Sequence, residues 1–525
     1  MPRELETDCL IIGSGVAGLS AAIALADFGV DTLVVSSAPS VTQTNTLQAQ
    51  GGIIFKSSSG SPERLVADIL EAGCHFNYLP AACQLAQEGP QLVEKVLIHK
   101  VGVAFDKNGN GYDLTREAAH SENRILHRGD ETGKAIEQSM ADYCSGMKNI
   151  RFLAKMTAVN LLMSSFHCQD HSIRHEPARC IGAFVFDQES NQVFPIFAKH
   201  TVLATGGIGQ LYLHNTNSPY ARGDGIALAY RAGCRLENLE YIQFHPTTFF
   251  HPQSKRFLIS ESLRGEGAIL INQKGERFLP KYLQHYAVPE LAPRDKVAWA
   301  INQEMLSEGA SCVYLDITRK PAGWIQERFP FVYSTCKKYG TDITKDPIPV
   351  VPAAHYHCGG VWTDLDGRTS VSNLWAVGET ACTGLHGANR LASTSLLEGL
   401  VWGTHAGEGI GKDLGSGSKW VRPQIEEWIN ETAQVDPGFL SQDWLTLKQT
   451  MWNYVGLIKT DARLERAKGI LTELAGGIDS FYRNAVLSDE LIGLRHATLV
   501  ALRIVDACQR NHRSKGCYFR EELEI

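Results

Sequence analysis

Two arginines and two histidines of this chain lie in segments that could together bind two carboxylates. His245 occurs within Gln-Phe-His-Pro-Thr, Arg294 within Leu-Ala-Pro-Arg-Asp, His355 within Ala-Ala-His-Tyr-His-Cys, and Arg390 follows Gly-Ala-Asn. Arginine offers a two-pronged fork to a carboxylate, and histidine adds a further donor. Taken singly, each such residue is more often structural or solvated. The hypothesis therefore depends on a fold that brings the four side chains together.

Other chemistry has less support in the sequence. His355, His357 and Cys358 could bind zinc, but structural zinc sites take four ligands, usually from paired clusters, and the sequence has no second cluster with ligand spacing. It also has no Gly-x-Ser-x-Gly elbow and no Walker loop. Hydrolase and NTPase activities are therefore unsupported, and we predict no metal ligands.

Composition and charge exclude further classes. The net charge is -7, and the 50 basic residues are dispersed, whereas a nucleic-acid binder needs a concentrated basic face. No segment offers the roughly 20 uninterrupted apolar residues that span a bilayer, and the first eight residues do not resemble a secretory signal. The 13 cysteines include no CxxC motif and are typical of buried thiols in a reducing compartment. We expect a cytoplasmic protein without a membrane anchor or nucleic-acid partner.

The elements that would position the carboxylate-binding residues start at the N-terminus. A strand over Cys9–Ile12 runs into Gly13-Ser-Gly-Val-Ala-Gly18, and an Ala/Leu-rich helix and a second strand follow. The three glycines permit a tight turn, close backbone approach to a pyrophosphate and close packing of helix on strand. An NAD site would usually have an acidic residue after the second strand, where this chain has Ser36 and Ser37. The pattern therefore favours FAD.

Later segments complete the predicted fold. Thr201–Gly207 and Leu374–Glu379 are apolar runs that end in glycine, as in parallel strands whose carboxyl ends form a ligand crevice. The helical periodicity from Leu491 to Val505, with Ser488 as its cap, predicts a helical tail after the Gly-Ser-Gly-Ser stretch at Gly415. We predict a discontinuous, doubly wound α/β domain (1–238 and 357–415), an inserted α+β domain (239–356) and a C-terminal helical bundle (416–525).

Two polar loops could surround the cofactor. Thr44–Gly52 follows the second strand, where a loop can wrap a dinucleotide, and Gly384–Leu397 turns into an apolar helix. A helix beginning near Ser395 would direct its positive end at the negative charge that develops on the pyrimidine edge of a reduced flavin.

Together these motifs resemble the succinate dehydrogenase and fumarate reductase flavoprotein family, most closely its L-aspartate oxidase branch, over nearly the whole chain. The resemblance rests on motifs in one order: Gly13-Ser-Gly-Val-Ala-Gly-Leu-Ser20, Ala49-Gln-Gly-Gly52, Gly223-Asp-Gly225, Gln243-Phe-His-Pro-Thr247, Leu263-Arg-Gly-Glu-Gly267, Leu291-Ala-Pro-Arg-Asp295, Gly378-Glu379 and His386-Gly-Ala-Asn-Arg390. It implies a Rossmann-like FAD-binding domain interrupted by a capping domain and followed by a helical domain.

The resemblance also implies the site residues. Those that would bind FAD are Gly13, Ser14, Gly15, Val16, Ala17, Gly18, Ser37, Asn45, Thr46, Leu47, Gln48, Ala49, Gln50, Gly51, Gly52, Asp224, Glu379, Ser395 and Leu396. Those that would bind the substrate are Glu117, Gln243, His245, Ser260, His355 and Arg390. Arg294 would act from the opposite face of the substrate as a proton shuttle in the fumarate direction, which is demanding because a guanidinium normally stays protonated. Catalysis would involve Arg294, His245, His355, Arg390 and Glu117.

Two positions distinguish the branch. Asn45 stands where the respiratory dehydrogenases carry the histidine that attaches the flavin, so we expect noncovalent FAD. Glu117, within Leu-Thr-Arg-Glu-Ala-Ala-His-Ser, matches the glutamate that faces the substrate amino group in the oxidase branch. The chain departs from that branch at Ala118-Ala119, which replaces a glycine pair, at Thr394, which replaces an asparagine, and at Lys515 with Tyr518.

The reaction that the resemblance implies is oxidation of L-aspartate to iminoaspartate, the first step of quinolinate and NAD biosynthesis. The C2 hydrogen would leave as hydride to flavin N5 while the amino group loses a proton. O2, giving H2O2, or fumarate would then accept the electrons. Quinolinate synthase would be the downstream partner. The alternatives are a fumarate reductase or succinate dehydrogenase flavoprotein, which has no use for Glu117, and a flavin-containing binding protein without turnover.

Overall fold

The computed structural model describes residues 4–57, 60–109, 111–117, 119–253, 257–416 and 420–521. The strands are β1 (Leu5–Ile12), β2 (Thr32–Val35), β3 (Ile53–Ile54), β4 (Lys107–Asn108), β5 (Gly111–Tyr112), β6 (Leu114–Thr115), β7 (Ile125–Leu126), β8 (Ile150–Leu153), β9 (Met156–Met163), β10 (Cys180–Asp187), β11 (Gln192–Leu203), β12 (Leu236–Glu237), β13 (Ile242–Phe249), β14 (Ile269–Ile271), β15 (Val313–Asp316), β16 (Ile348–His357), β17 (Gly360–Trp362), β18 (Leu374–Ala376) and β19 (Ala381–Cys382).

The α-helices follow the same chain order. They are α1 (Val16–Asp27), α2 (Pro62–Ala72), α3 (Leu79–Leu92), α4 (Thr132–Ser145), α5 (Ser164–His167), α6 (Asp224–Arg231), α7 (Ser262–Gly265), α8 (Leu279–Tyr282), α9 (Arg294–Glu308), α10 (Ala322–Arg328), α11 (Pro330–Lys338), α12 (Thr394–Gly415), α13 (Pro437–Val455), α14 (Asp461–Tyr482) and α15 (Asp489–Arg510).

A seven-stranded sheet joins the segments that the sequence predicts to be parallel. Its path is β8-β2-β1-β11-β10-β9, and β18 pairs with β11 beside that path. The pairs β1 with β2, β1 with β11 and β11 with β18 are parallel, whereas β9 and β10 add an antiparallel edge. The glycine-ended strands therefore lie side by side, and their carboxyl ends meet at one edge of the sheet. The doubly wound α/β fold class is confirmed.

A second sheet carries two of the predicted site segments. Its order is β13-β16-β15-β14, all antiparallel, with β13 beginning at Ile242 and β16 ending at His357. His245 pairs with Ala353 across β13 and β16, so His355 comes from the neighbouring strand on the same side of the ladder. The predicted domain limit after residue 356 falls within β16, and the domain limits remain a prediction.

The tail is helical, as the fold-class prediction requires, but its helices begin later than expected. Residues 420–436, part of the predicted bundle, contain no helix, and α13 starts at Pro437 with Asp436 as its cap. The segment instead forms isolated bridges, in which Ile425 pairs with Cys168 of the main body and Ala433 pairs with Ala485, between α14 and α15 of the tail itself. The predicted cap of the last helix is present, because the Ser488 side chain accepts from the Leu491 N–H. Gly417 and Ser418 of the predicted linker lie outside the described residues.

Candidate active site

The glycine turn between β1 and α1 comes very close to the neighbouring strand. Gly13 has φ +114°, and a Cβ there would lie 2.1 Å from the carbonyl oxygen of Ala204, just beyond β11. A Cβ on Gly18 would lie 2.1 Å from the Gly13 carbonyl oxygen. Only glycine fits, and the backbone at the start of α1 therefore borders a cavity instead of being covered by side chains. Helix N-terminal N–H groups in such a position suit a pyrophosphate.

Hydrogen bonds hold the polar loop that follows β2 against this turn. The Val16 N–H donates to Thr46 Oγ1 at 3.0 Å, and the Ser14 hydroxyl donates to the Val41 carbonyl at 2.5 Å. Asn45 Oδ1 accepts from the Ser218 N–H at 2.7 Å. Asn45 thus connects two walls of the cavity through its amide.

One continuous cavity joins the glycine turn to the two arginines and two histidines that are predicted to bind carboxylates. Of the site residues predicted from the sequence, all but Gly18, Leu47 and Gln243 line it. Gly18 packs on the turn itself, and Gln243 is buried with its Oε1 bound to the Arg390 guanidinium, so a direct contact of Gln243 with substrate stays a prediction. The cavity brings the other predicted residues together.

The lining of the cavity suits FAD. The glycine turn and the start of α1 supply backbone N–H groups that can donate hydrogen bonds to phosphates, and Ser37 follows β2. Asp224 and Glu379 add carboxylates, and Ser395 and Leu396 lie in the first turn of α12. Gln50 Oε1 is buried and makes no hydrogen bond within the described part of the chain, which leaves it as an acceptor for a ligand N–H.

Burial and hydrogen bonding set the charge of the two carboxylates in this wall. Burial raises the pKa of Glu379 to about 7, although the His357 N–H donates to its Oε1 at 3.0 Å. Burial would also raise the pKa of Asp224, but the Arg222 guanidinium and the His496 hydrogen bond together hold it well below its usual range. Asp224 therefore stays ionised, whereas Glu379 titrates near neutral pH.

Arg390 is buried and rigidly held. Its Nε and Nη2 donate to Gln243 Oε1 at 3.3 and 3.2 Å, and its Nη1 donates to Ser395 Oγ at 2.6 Å. Its guanidinium lies 4.3 Å from the centre of the Tyr356 ring. The pKa of Arg390 is lowered mainly by burial and secondly by the positive charge of Arg294. An anion in the cavity would relieve this unfavourable burial of positive charge.

The two predicted substrate-binding histidines lie side by side in the cavity wall. The ring centroids of His245 and His355 are 5.2 Å apart. Burial and the neighbouring arginines lower the pKa of both well below 6.5, so both rings are neutral at neutral pH. His355 Nδ1 shares a 2.8 Å hydrogen bond with Thr216 Oγ1, and His245 Nε2 is buried and unpaired within the described residues. A neutral imidazole with an unpaired nitrogen is ready to bind a ligand.

Arg294 begins α9 and bears a carboxylate partner. Its Nε donates to Glu261 Oε2 at 2.5 Å, while its Nη1 is buried and unpaired within the described part of the chain. Burial would lower the pKa of Arg294, but Glu261 and then Glu117 raise it overall. Arg294 is therefore cationic at rest, and its Nη1 remains available to a carboxylate.

Glu117 enters the same cavity from the loop that follows β6. Its Oε2 accepts from the Ser393 hydroxyl at 2.7 Å, and Ser393 Oγ in turn accepts from the Gly52 N–H at 3.4 Å. Ser393, the residue before α12, has a left-handed φ of +57°. Ala119 also has a left-handed φ, +66°, at one of the two positions where the oxidase branch has glycine. Ala118, the other, lies outside the described residues.

Several lining residues were not found by sequence reasoning. They are polar groups without a distinctive local pattern, such as Thr216, Asn217, Glu261, Tyr356 and Ser393. Ser393 and Tyr356 lie within segments that the sequence singles out, and Glu261 lies just before one, so position in or beside a motif was the available signal. Thr216 and Asn217 reach the cavity only because residues 215–216 run alongside Ala354 of β16.

Comparisons with known proteins agree with this geometry. A family model described as "FAD binding domain" matches residues 8–396. The chain is 43% identical to L-aspartate oxidase 1 of Ralstonia nicotianae over 99% of this chain and 96% of the relative, and 40% identical to L-aspartate oxidase of Pseudomonas aeruginosa with the same coverage. Among solved structures, a quinol fumarate reductase chain from E. coli superposes with a TM-score of 0.88 at 26% identity, covering 99% of this chain and 92% of that one.

Proposed function

This chain belongs to the L-aspartate oxidase family of FAD-binding flavoproteins, and on that premise we propose that it oxidises L-aspartate to iminoaspartate. The observation that carries the proposal is the composition of one cavity. Two arginines, two neutral histidines and the carboxylate of Glu117 border the same space as the glycine turn. The cationic groups suit two carboxylates, and the extra anion suits a substrate that also bears an ammonium group.

The side chains divide the work of holding the substrate. The four cationic or hydrogen-bonding side chains would form a carboxylate clamp. Arg390 and His355 form one end of it, and Gln243 and Ser395 hold the Arg390 guanidinium. His245 and the Ser260 region form the other, with His245 Nε2 as the available ring nitrogen. Because each group is held by a further hydrogen bond, the substrate would be oriented without reorganisation, and such orientation is worth several kcal/mol of the barrier, about 7 to 11 at most.

FAD supplies the acceptor for the hydride that leaves C2 of the substrate. The chain's contribution to proton handling centres on Arg294. Its Nη1 is unpaired within the described residues, and its Nε is bound to Glu261, so the guanidinium holds its proton in the oxidative direction. In the fumarate direction Arg294 would donate that proton to the substrate and would have to regain one afterwards, while the ion pair with Glu261 makes the cation its resting state.

We further propose that FAD is bound noncovalently, since Asn45 offers an amide where a histidine ring would be needed. Aspartate and fumarate agree with the chain's similarity to aspartate oxidases and to a fumarate reductase. We propose O2 as a second electron acceptor and a quinolinate-forming enzyme, quinolinate synthase, as the downstream partner. A cytoplasmic location is supported by the 13 cysteines, all of which lie in the described residues and none of which forms a disulfide. In the described part of the chain, no helix has the length and apolarity needed to cross a bilayer.

A product assay under anaerobic conditions tests the reaction. Purified holoenzyme is incubated with L-aspartate and fumarate, and oxaloacetate with ammonia, the hydrolysis products of iminoaspartate, are measured beside succinate. We expect equimolar oxaloacetate and succinate, and none of either with D-aspartate. Reduction of fumarate by an artificial donor without any consumption of aspartate would instead support a fumarate reductase.

A further inference from the structure

Asp489, the first residue of α15, lies outside the cofactor cavity yet is bonded to two of its walls. The helix belongs to the C-terminal helical region, and Asp489 is not among the residues that line the cavity. Its side chain is about three-quarters buried, with 26% exposed. Two separate chains of hydrogen bonds run from this carboxylate to residues that border the cofactor.

The first chain passes through Arg222. Arg222 Nη1 donates to Asp489 Oδ2 at 2.8 Å, and Nη2 donates to Asp489 Oδ1 at 3.0 Å. The same Nη2 donates to Oδ2 of Asp224, at 2.9 Å, and Asp224 lines the cavity at the start of α6. One buried guanidinium thus bridges a carboxylate of the cavity wall and a carboxylate of α15.

The second chain passes through β9. Thr157 Oγ1 donates to Asp489 Oδ1 at 2.6 Å and accepts from Gln188 Nε2 at 3.0 Å. Gln188 Nε2 also donates to the carbonyl of Ser37, at 2.8 Å, and Ser37 lines the cavity. The neighbours of Thr157 in the strand, Met156 and Ala158, line the cavity themselves, and alternation along the strand turns Thr157 toward α15.

Packing around Arg222 confirms that α15 is fitted to this network. A Cβ on Gly493, one turn beyond Asp489, would lie 2.7 Å from the Arg222 guanidinium, so glycine leaves the room that the bridge occupies. His496, one further turn along α15, adds a contact of its Nδ1 with Asp224 Oδ1 at 3.2 Å. The helix therefore contacts Asp224 both directly and through Arg222.

We propose that Asp489 is a positioning residue for FAD, and that docking of α15 and binding of FAD are thermodynamically coupled through it. When α15 is docked, Asp489 fixes Arg222 and Thr157, and these fix Asp224 and the backbone at Ser37. Arg222 forms ion pairs with two carboxylates, Asp224 and Asp489. Loss of the Asp489 charge leaves only Asp224 of these two, so Arg222 shifts and the cavity wall loosens. By linkage, FAD must stabilise the docked helix to the same extent that the docked helix tightens FAD.

The test compares Asp489→Asn with Asp506→Asn, a control on the same helix. Asp506 forms ion pairs with Lys468 and with Arg503, each at 3.0 Å, and does not line the cavity. FAD dissociation is followed by the rise in free-flavin fluorescence after dilution of the holoenzyme, and the dissociation constant is obtained by titration. We expect the constant to rise at least about fivefold in Asp489→Asn and to stay within twofold of wild type in the control. A constant within twofold of wild type in both variants would overturn the proposal.

Amide hydrogen exchange distinguishes coupling to FAD from a purely structural role, because a structural role would not make the exchange in α15 depend on FAD. In wild type and in the control, FAD should slow amide exchange in residues 489–496, and in Asp489→Asn this FAD-dependent protection should be lost. If Asp489→Asn does not fold, Thr157→Val, which removes only the second chain of hydrogen bonds, takes its place with the same expected direction. FAD-independent exchange in this turn of the wild-type protein would refute the coupling without any substitution.

Discussion

Glu117 is the residue on which selectivity for aspartate should depend. Its carboxylate borders the cavity and is oriented by the Ser393 hydroxyl at 2.7 Å, with the Gly52 N–H behind that hydroxyl. Aspartate differs from succinate by an amino group that is positively charged when it binds. A fixed carboxylate attracts that group but repels a substrate with two negative charges and no amine. Glu117→Gln keeps the size and the hydrogen bond from Ser393 while removing the charge.

The lost contact between Glu117 and the substrate ammonium group determines how far aspartate oxidation should fall. A hydrogen bond to a charged group contributes about 1.5 to 3 kcal/mol, and each 1.36 kcal/mol is tenfold in rate, so kcat/KM for aspartate should fall roughly 10- to 150-fold. Fumarate reduction should be unchanged or faster, because the repulsion is removed. The assay measures both activities on the same preparation, with Glu131→Gln, an exposed glutamate paired with Lys134, as the control.

The two activities must separate. If both fall together in Glu117→Gln, the residue positions the flavin or supports the fold and does not select the substrate. If neither changes, the carboxylate makes no productive contact with the substrate amino group, and the reasoning from charge is wrong. A fall in aspartate oxidation alone, with an intact flavin spectrum, is the outcome that the geometry requires.

Three further predictions follow from the same structure. Arg390→Leu and His245→Ala should each lower kcat/KM for both aspartate and fumarate, by about 1.5 to 3 kcal/mol or more, because a carboxylate clamp serves either substrate; unchanged kinetics with both substrates would remove these residues from the site. Acid precipitation should release all of the flavin, since Asn45 cannot form the covalent link, and a flavin-peptide after protease digestion would contradict this. Burial lowers the pKa of His357 to about 4, below its unfolded value near 6.5, so between these two values the unfolded chain binds more protons than the folded chain. The free energy of unfolding should therefore fall as the pH is lowered from about 6.5 to 4. Urea unfolding should show a weaker pH dependence in His357→Asn, and an equal slope in both proteins would refute the argument.

The fold was accessible from the sequence where local patterns carry tertiary information. Gly13 and Gly18 are required by contacts of 2.1 Å that only glycine permits, so the turn signals the fold directly. Apolar runs that end in glycine likewise identified β11 and β18 as partners in a parallel sheet. The start of α13 could not be placed, because residues 420–436 are held by isolated bridges to distant residues and have no periodicity of their own.

The candidate site was accessible only in part. Most predicted residues line the cavity because they lie in motifs whose order matches the family. Gln243 has the chemistry of a substrate ligand, but the side chain is buried and binds the Arg390 guanidinium, which no local pattern reveals. The role of Asp489 depends on contacts with residues more than 250 positions away in sequence, such as Arg222. Long-range contacts of this kind are set by the packed structure and leave no trace in the spacing of one segment.

Anaerobic titration of the holoenzyme with L-aspartate tests the central claim most directly. The flavin absorption is recorded after each addition, with succinate and D-aspartate as matched controls that carry the same two carboxylates. Stoichiometric bleaching by L-aspartate, with only a spectral shift from succinate and no bleaching by D-aspartate, is the result that this account predicts. Bleaching by succinate in preference to L-aspartate, or no bleaching by any of the three, would contradict it.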